Sequence, residues 1–404
     1  MILLFVVGVQ ILIPMDFVQT DHLRAYGIAY NALQQGLKVE WLLNYRGGSF
    51  LISQSNKIEE LCKLRCVSYD LVSENRIQSI YSTIEEGNME RVELTEAPRV
   101  AVYVPLHHSP WDDAVRLALD YAQIPYDKIW DEEVLAGVLS DYDWLHLHHE
   151  DFSGQYGKFY GSFANSDWFR AEIKINEAMA KKLGFKKVWQ LKHAVVAKVV
   201  EYVNRGGFLF AMCSATETFD MALAAYGMDI VPLVDGDGYD PNCQQKLIFE
   251  KTFAFKDFTV DLNPLLYRRS SIDVTNESRV LGPQSYFELA NFSAKYDPIP
   301  TLLTQNHINR ISEFLGQTTG FRRSTIKEEV TILADMPGTE IVKYIYRDCG
   351  QGFFTFYGGH DPEDYSHLVG DPPTKLELSP NSPGYRLILN NVLFPAAKTK
   401  RLKT

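Results

Sequence analysis

Cys213 stands where FLFAMCSATETFDMALAA breaks from an apolar strand, Gly207 to Met212, through small residues into a helix at about Glu217 to Ala225. A strand-to-helix turn of this kind projects a nucleophile from the C-terminal edge of a sheet and needs small neighbours, here Ala211 and Ala215. A thiol facing a helix N-terminus meets a positive dipole, ionises more easily and attacks carbonyl carbon as thiolate. Equally, a free cysteine in such a run serves as a small buried apolar residue. A base for Cys213 should come from another strand of the same sheet. QGFFTFYGGHDPEDYSH supplies one: a strand from Phe353 to Tyr357, a Gly-Gly turn, then His360, with Asp361 and Glu363 to orient its ring. The bland alternative makes Gly358-Gly359 only a turn and His360 a loop residue.

A second chemistry resides in DWLHLHHEDFSG. His146 and His148 fall on one face of a strand, with His149, Glu150 and Asp151 at its C-terminal end, and His107-His108 follow the preceding strand. Ligands collect at the C-terminal edges of parallel strands. Imidazoles with a carboxylate, drawn from His146, His148, His149 and Glu150, suit Zn²⁺ or Fe²⁺. Without metal, the same imidazoles make a pocket for an anionic or amide substrate, or simply pack under a helix and bond the following loop. Arg46, in the Arg-Gly-Gly run after the second strand, could hold a carboxylate or phosphate. Together with His107, His108 and Ser214 it completes the substrate-binding set. VDGDGYDPN places Asp235, Asp237 and Asp240 in line, but Tyr239 interrupts the calcium-loop pattern, which leaves a turn-rich loop. Cys62 and Cys66, four apart, lack a second cysteine pair for a metal site and read as core residues.

Composition bounds what surrounds these groups. With 404 residues the chain has room for roughly one to three domains. Its 46% hydrophobic and 13% aromatic content is that of a globular protein. A net charge of −11 and the lack of a basic run before the last residues argue against nucleic acid as a partner. A small-molecule substrate or ligand is the expected partner. No stretch reaches the ~18 apolar residues of a membrane span. Five cysteines, an odd number, make no disulfide framework. Met1 to Val9 reads as the apolar core of a secretory signal without its positive start, so residues 1–10 are assigned to a signal peptide. Export to the periplasm follows if they are one; otherwise the protein is cytoplasmic.

Apolar runs and helical stripes alternate, which predicts an α/β fold with a largely parallel sheet. Ile11 to Pro14 is the first strand, and DHLRAYGIAYNALQQG the first helix, capped by Asp21 and closed by Gly36. LKVEWLLNY is the second strand, and residues 55–95 carry two helices. AVYVP, DYDWLHLHH and the Cys213 strand follow, with helices in DDAVRLALDYAQ and HAVVAKVVEYVNRGG. EEVTILADM and EIVKYIYRDCGQGFFTFYGG read as closing strands, partly antiparallel. The predicted divisions are 11–97 as an N-terminal α/β region, 98–228 with 329–397 as the main domain, and 229–328 as an irregular insertion.

The strand-Cys-helix turn and the late Gly-Gly-His-x-Pro-Glu run resemble the class I glutamine amidotransferase-like superfamily, over roughly 98–230 and 330–370. That resemblance implies a flavodoxin-like, mostly parallel sheet with helices on both faces. It also implies Cys213 as nucleophile, His360 as base and Glu363 as orienter. The motif here is one residue longer, which brings in Asp361 as a second orienter, and Ala211 and Ala215 stand where the family favours Gly. His-Glu-Asp-Phe-Ser-Gly replaces its glycine-rich oxyanion loop. At whole-chain level, DHLRAYGIAYNALQQGLKVEWLLNYRGGSF, LHLHHEDFSGQYGKFY and SPGYRLILNNVLFP are similar to bacterial proteins labelled asparagine synthetase B. An ATP-dependent asparagine synthetase carries Cys directly after Met and a Ser-Gly-Gly-x-Asp-Ser loop. This chain has Met-Ile-Leu-Leu and no such loop, so that activity is not expected. The expectation is a Cys-dependent amide or ester hydrolase or amidotransferase, without cofactor. Its alternative is a non-catalytic protein binding a ligand or divalent metal on the same fold.

Overall fold

The structure, a computed structural model, describes residues 9–105, 113–232 and 238–397. Five strands, β1 (Val9–Ile13), β2 (Val39–Leu43), β3 (Ser49–Ser53), β4 (Asp70–Ser73) and β5 (Glu90–Leu94), form one sheet in the order β4-β1-β3-β2-β5. Every pairing in it is antiparallel. The βα alternation read from the sequence therefore fails here: β2 and β3 make a hairpin. Its turn runs through left-handed backbone at Asn44, Arg46, Gly47 and Gly48. A Cβ on Gly47 would stand 2.3 Å from the Met15 carbonyl oxygen, so only glycine fits.

The second sheet has ten strands. They are β6 (Val100–Tyr103), β7 (Asp127–Ile129), β8 (Trp144–Leu147), β9 (Phe208–Met212), β10 (Tyr286–Leu289), β11 (Arg310–Ser312), β12 (Phe321–Arg322), β13 (Thr331–Asp335), β14 (Ile341–Cys349) and β15 (Gly352–Tyr357). The order is β11-β10-β13-β14-β15-β9-β8-β6-β7, with β12 also on β14. Only β7, β6, β8, β9 and β15 run parallel. From β14 outward every pairing is antiparallel. The expected mostly parallel, flavodoxin-like sheet is thus corrected to a mixed ten-stranded sheet beside a wholly antiparallel one. The cause is connection length. Cys349 pairs with Gly352 across a tight turn, and a turn that short can only reverse the chain. Residues 229–328 contribute β10, β11 and β12 to this sheet rather than standing apart from it.

Alternate residues of the parallel strands feed two cores. Phe208, Phe210 and Met212 of β9 join one, packed with the helices His22–Gln34, Ala114–Ala122 and Pro383–Leu393. Leu209 and Ala211 join the other, with the helices Val188–Asn204 and Cys213–Ala224. Both faces of β6 and β9 are covered, which explains why VAVY and FLFAM are apolar throughout rather than alternating. No described helix is long and apolar enough to cross a membrane.

Candidate functional site

β8, β9 and β15 end side by side, and each delivers one segment of the site. Cys213 follows β9 directly and has φ 52°. A non-glycine residue in left-handed backbone at a strand-to-helix break is strained. The amide of Cys213 donates to the Gly359 carbonyl at 3.2 Å, and that of Ala215 to the His148 carbonyl at 2.9 Å. These bonds lock the three strand ends together. The sulfur is fully buried and accepts the Gln317 N–H at 3.3 Å. Burial pushes the thiol above its usual range, against the N–H groups of Gln317 and Ser214 and the Arg269 charge, which lower it. The helix terminus expected to activate Cys213 is outweighed by desolvation.

The helix that starts at Cys213 carries two buried acids. Glu217 accepts from the hydroxyls of Ser270 and Thr318, the latter at 2.8 Å. Burial and the neighbouring Asp273 push it up to about 7. Asp220 accepts the backbone N–H groups of Phe253, Ala254 and Phe255 at 2.7, 2.7 and 2.9 Å. That single carboxylate anchors the segment following residue 252 onto the helix.

The imidazoles gather at the ends of β8 and β15. His148 meets His360 edge to face, ring centroids 4.5 Å apart, and His360 stacks on His367 at 3.7 Å. His148, His149 and His360 each offer a ligand atom, all within 4.8 Å of one another. A second such group unites Asp113, His146 and His148. Asp113 caps the helix Ala114–Ala122, accepting from the amides of Val115 at 2.8 Å and Arg116 at 3.1 Å. Its Oδ1 also lies 3.5 Å from His146 Nε2 and 3.7 Å from His148 Nδ1. Burial alone would raise this carboxyl, but the His148 and His146 imidazoles hold it well below the usual range. His146 Nδ1 contacts the Phe210 carbonyl oxygen at 3.1 Å, which fixes its ring beneath the cluster.

His149, Glu150 and His360 line a cavity of about 600 Å³, closed elsewhere by Phe159, Trp168 and Tyr267. The loop after β8 shapes it through left-handed backbone at Gly154, Tyr156, Gly157 and Lys158. Asp151 holds that loop, accepting the Ser153 and Gly157 amides at 2.9 and 3.0 Å and Arg269 Nε at 2.9 Å. Lys158 Nζ ties it to the Asp261 and Asn263 carbonyls at 2.8 and 2.9 Å.

The structure brings together Cys213, Ser214, His146, His148, His149, Glu150 and His360 at the ends of adjacent strands. It places the other sequence candidates elsewhere. Glu363 is exposed and accepts from the Ser379 hydroxyl at 2.9 Å. Asp361 is buried, accepts the Glu363 amide at 2.9 Å and lies beside the Tyr385 phenol. Arg46 sits in the β2–β3 turn, paired with Asp16 at 2.7 Å and Asp70 at 3.3 Å. His107, His108, Asp235 and Asp237 lie outside the described residues. Sequence reading missed Asp113, Gln317 and His367. Only Asp113 carried a signal, as a cap residue opening an apolar helix.

No protein-family model matches the chain, and no curated protein matches it. Among solved structures, a cytoplasmic protein from Salmonella typhimurium shares 11% identity over 74% of this chain and 100% of its own, at a TM-score of 0.36. A second, from Salmonella typhimurium LT2, shares 13% over 74% and 100%, also at 0.36. A β-galactosidase from Bacillus circulans sp. alkalophilus shares 11%, covering 72% of this chain and 32% of that one, at 0.29. At scores this low the likenesses carry no argument for fold or function.

Proposed function

We propose that this protein binds a divalent transition metal of the Zn²⁺ or Fe²⁺ class on His148, His149 and His360 and presents it to a small molecule in the adjoining cavity. The observation that carries this is the convergence of three imidazoles with ligand atoms within 4.8 Å of one another, two of which, His149 and His360, line the cavity. A tetrahedral zinc bound to nitrogen at ~2.0–2.1 Å needs those atoms about 3.3 Å apart, an adjustment within side-chain reach. Asp113 stands 3.7 Å from Nδ1 of His148, which leaves Nε2 as the metal-binding nitrogen and puts a carboxylate behind the ring, as is common for histidine ligands. Three protein ligands with a cavity at the fourth position is the arrangement of an open site, where a bound metal polarises a carbonyl or activates water. The test is elemental analysis of the purified protein beside His148→Ala, which should lose the metal and keep the fold.

A second reading rests on the left-handed backbone at Cys213. Within it, Cys213 attacks an amide or ester carbonyl, His360 moves the proton, and backbone N–H groups hold the oxyanion. The resemblance to glutamine amidotransferase-like proteins belongs to this reading. The buried, raised thiol weighs against it. Cys213→Ala separates the two: it abolishes a thiol activity and leaves metal content unchanged.

A further inference from the structure

The cavity beside the three histidines has a wall whose chemistry specifies the ligand. Phe159, Phe163, Trp168 and Tyr267 line it together. They pack on one another, with Phe159 to Trp168 at 5.3 Å, Phe163 to Trp168 at 5.2 Å and Phe159 to Tyr267 at 6.0 Å between centroids. Trp168 and Tyr267 nevertheless remain 41% and 43% exposed. Rings held by each other yet open on one side form a platform that gains by covering a planar or acyl group.

Charge narrows the ligand further. Two of the charges lining the cavity are already matched: Asp151 by Arg269 at 2.9 Å and Lys192 by Asp131 at 3.1 Å. Glu172 and Arg279, also in the lining, carry opposite signs. A divalent ion on three neutral imidazoles brings two positive charges, and Asp113 and Glu150 bring two negative ones. The site thus has no net charge to offer a ligand.

We infer, resting on the metal reading above, that the ligand is an uncharged carbonyl compound, an amide or ester, whose carbonyl oxygen meets the metal and whose aryl or acyl body lies on the Phe159–Trp168–Tyr267 wall. A charged carboxylate gains nothing here by attraction, and a small polar amide leaves the wall bare.

Calorimetric titration of zinc-loaded protein with phenylacetamide, acetamide and phenylacetate tests this. Phenylacetamide should bind at least about tenfold more tightly than acetamide, the gain expected for covering one phenyl ring. It should also bind more tightly than phenylacetate. Trp168→Ala should narrow the gap between the two amides without changing zinc content. Zinc-loaded protein that ignores the phenyl ring, or that favours phenylacetate, overturns this inference alone. Protein that takes up no zinc overturns the metal reading and this inference with it.

Discussion

Asp113 Oδ1 lies 3.7 Å from His148 Nδ1, with both side chains 2% exposed. The carboxylate belongs to a helix cap and the imidazole to a strand end, so one short contact joins two βα units at the site. Asn at position 113 would still cap the helix but would not carry charge to the ring. Asp113→Asn should therefore keep the fold and weaken metal binding by about 10- to 100-fold, the usual cost of removing a carboxylate behind a histidine ligand. Competition against a chromogenic chelator, with circular dichroism as control, measures both.

Cys213 supplies an internal comparison of thiols. Cys66 is exposed, whereas Cys213 is fully buried and its thiol is raised by desolvation. Iodoacetamide at pH 8 should modify Cys66 first and reach Cys213 only as the protein unfolds. Peptide mapping by mass spectrometry reads the order. Faster labelling of Cys213 in the folded protein would favour the thiol reading instead.

Glu217 makes stability depend on pH in a defined direction. Its carboxyl moves from 4.5 to about 7 on folding, chiefly through burial. The folded state therefore binds this proton more tightly, so the contribution is present at low pH and is lost as pH rises from about 4.5 to about 7. Melting curves across that window should show Glu217→Gln losing less stability than the wild type as pH rises. A variant that tracks the wild type at every pH would show that Glu217 ionises normally.

The Asp220 carboxylate satisfies three consecutive backbone amides, those of Phe253, Ala254 and Phe255. Each buried donor left unsatisfied costs about 1–3 kcal/mol. Asp220→Ala should therefore destabilise the protein by roughly 3 kcal/mol or more, measured by urea denaturation.

The break at Cys213 was legible because an apolar run meets small residues and then a helical stripe, a purely local pattern. His148, His149 and His360 were legible because histidines at the ends of apolar strands lie where such sheets bind ligands. Their mutual contact was not, because it depends on β8, β9 and β15 being neighbours. Asp113 was hidden because its cap role already explains an aspartate there. Gln317 was hidden in a segment with no periodicity. Strand direction was lost for a simpler reason: VEWLL and FLFAM are buried along their whole length, so periodicity is silent on the sense of pairing. The short turns after Leu43 and Cys349 decide it.

Metal on His148, His149 and His360 is directly measurable. Plasma mass spectrometry of the purified protein, as wild type and as His148→Ala and His360→Ala, reads it. About one divalent transition-metal ion per chain is expected in the wild type and little in either variant, all three being folded. Wild-type protein that retains no Zn²⁺ or Fe²⁺ after incubation and dialysis, or variants that retain as much as the wild type, would contradict it.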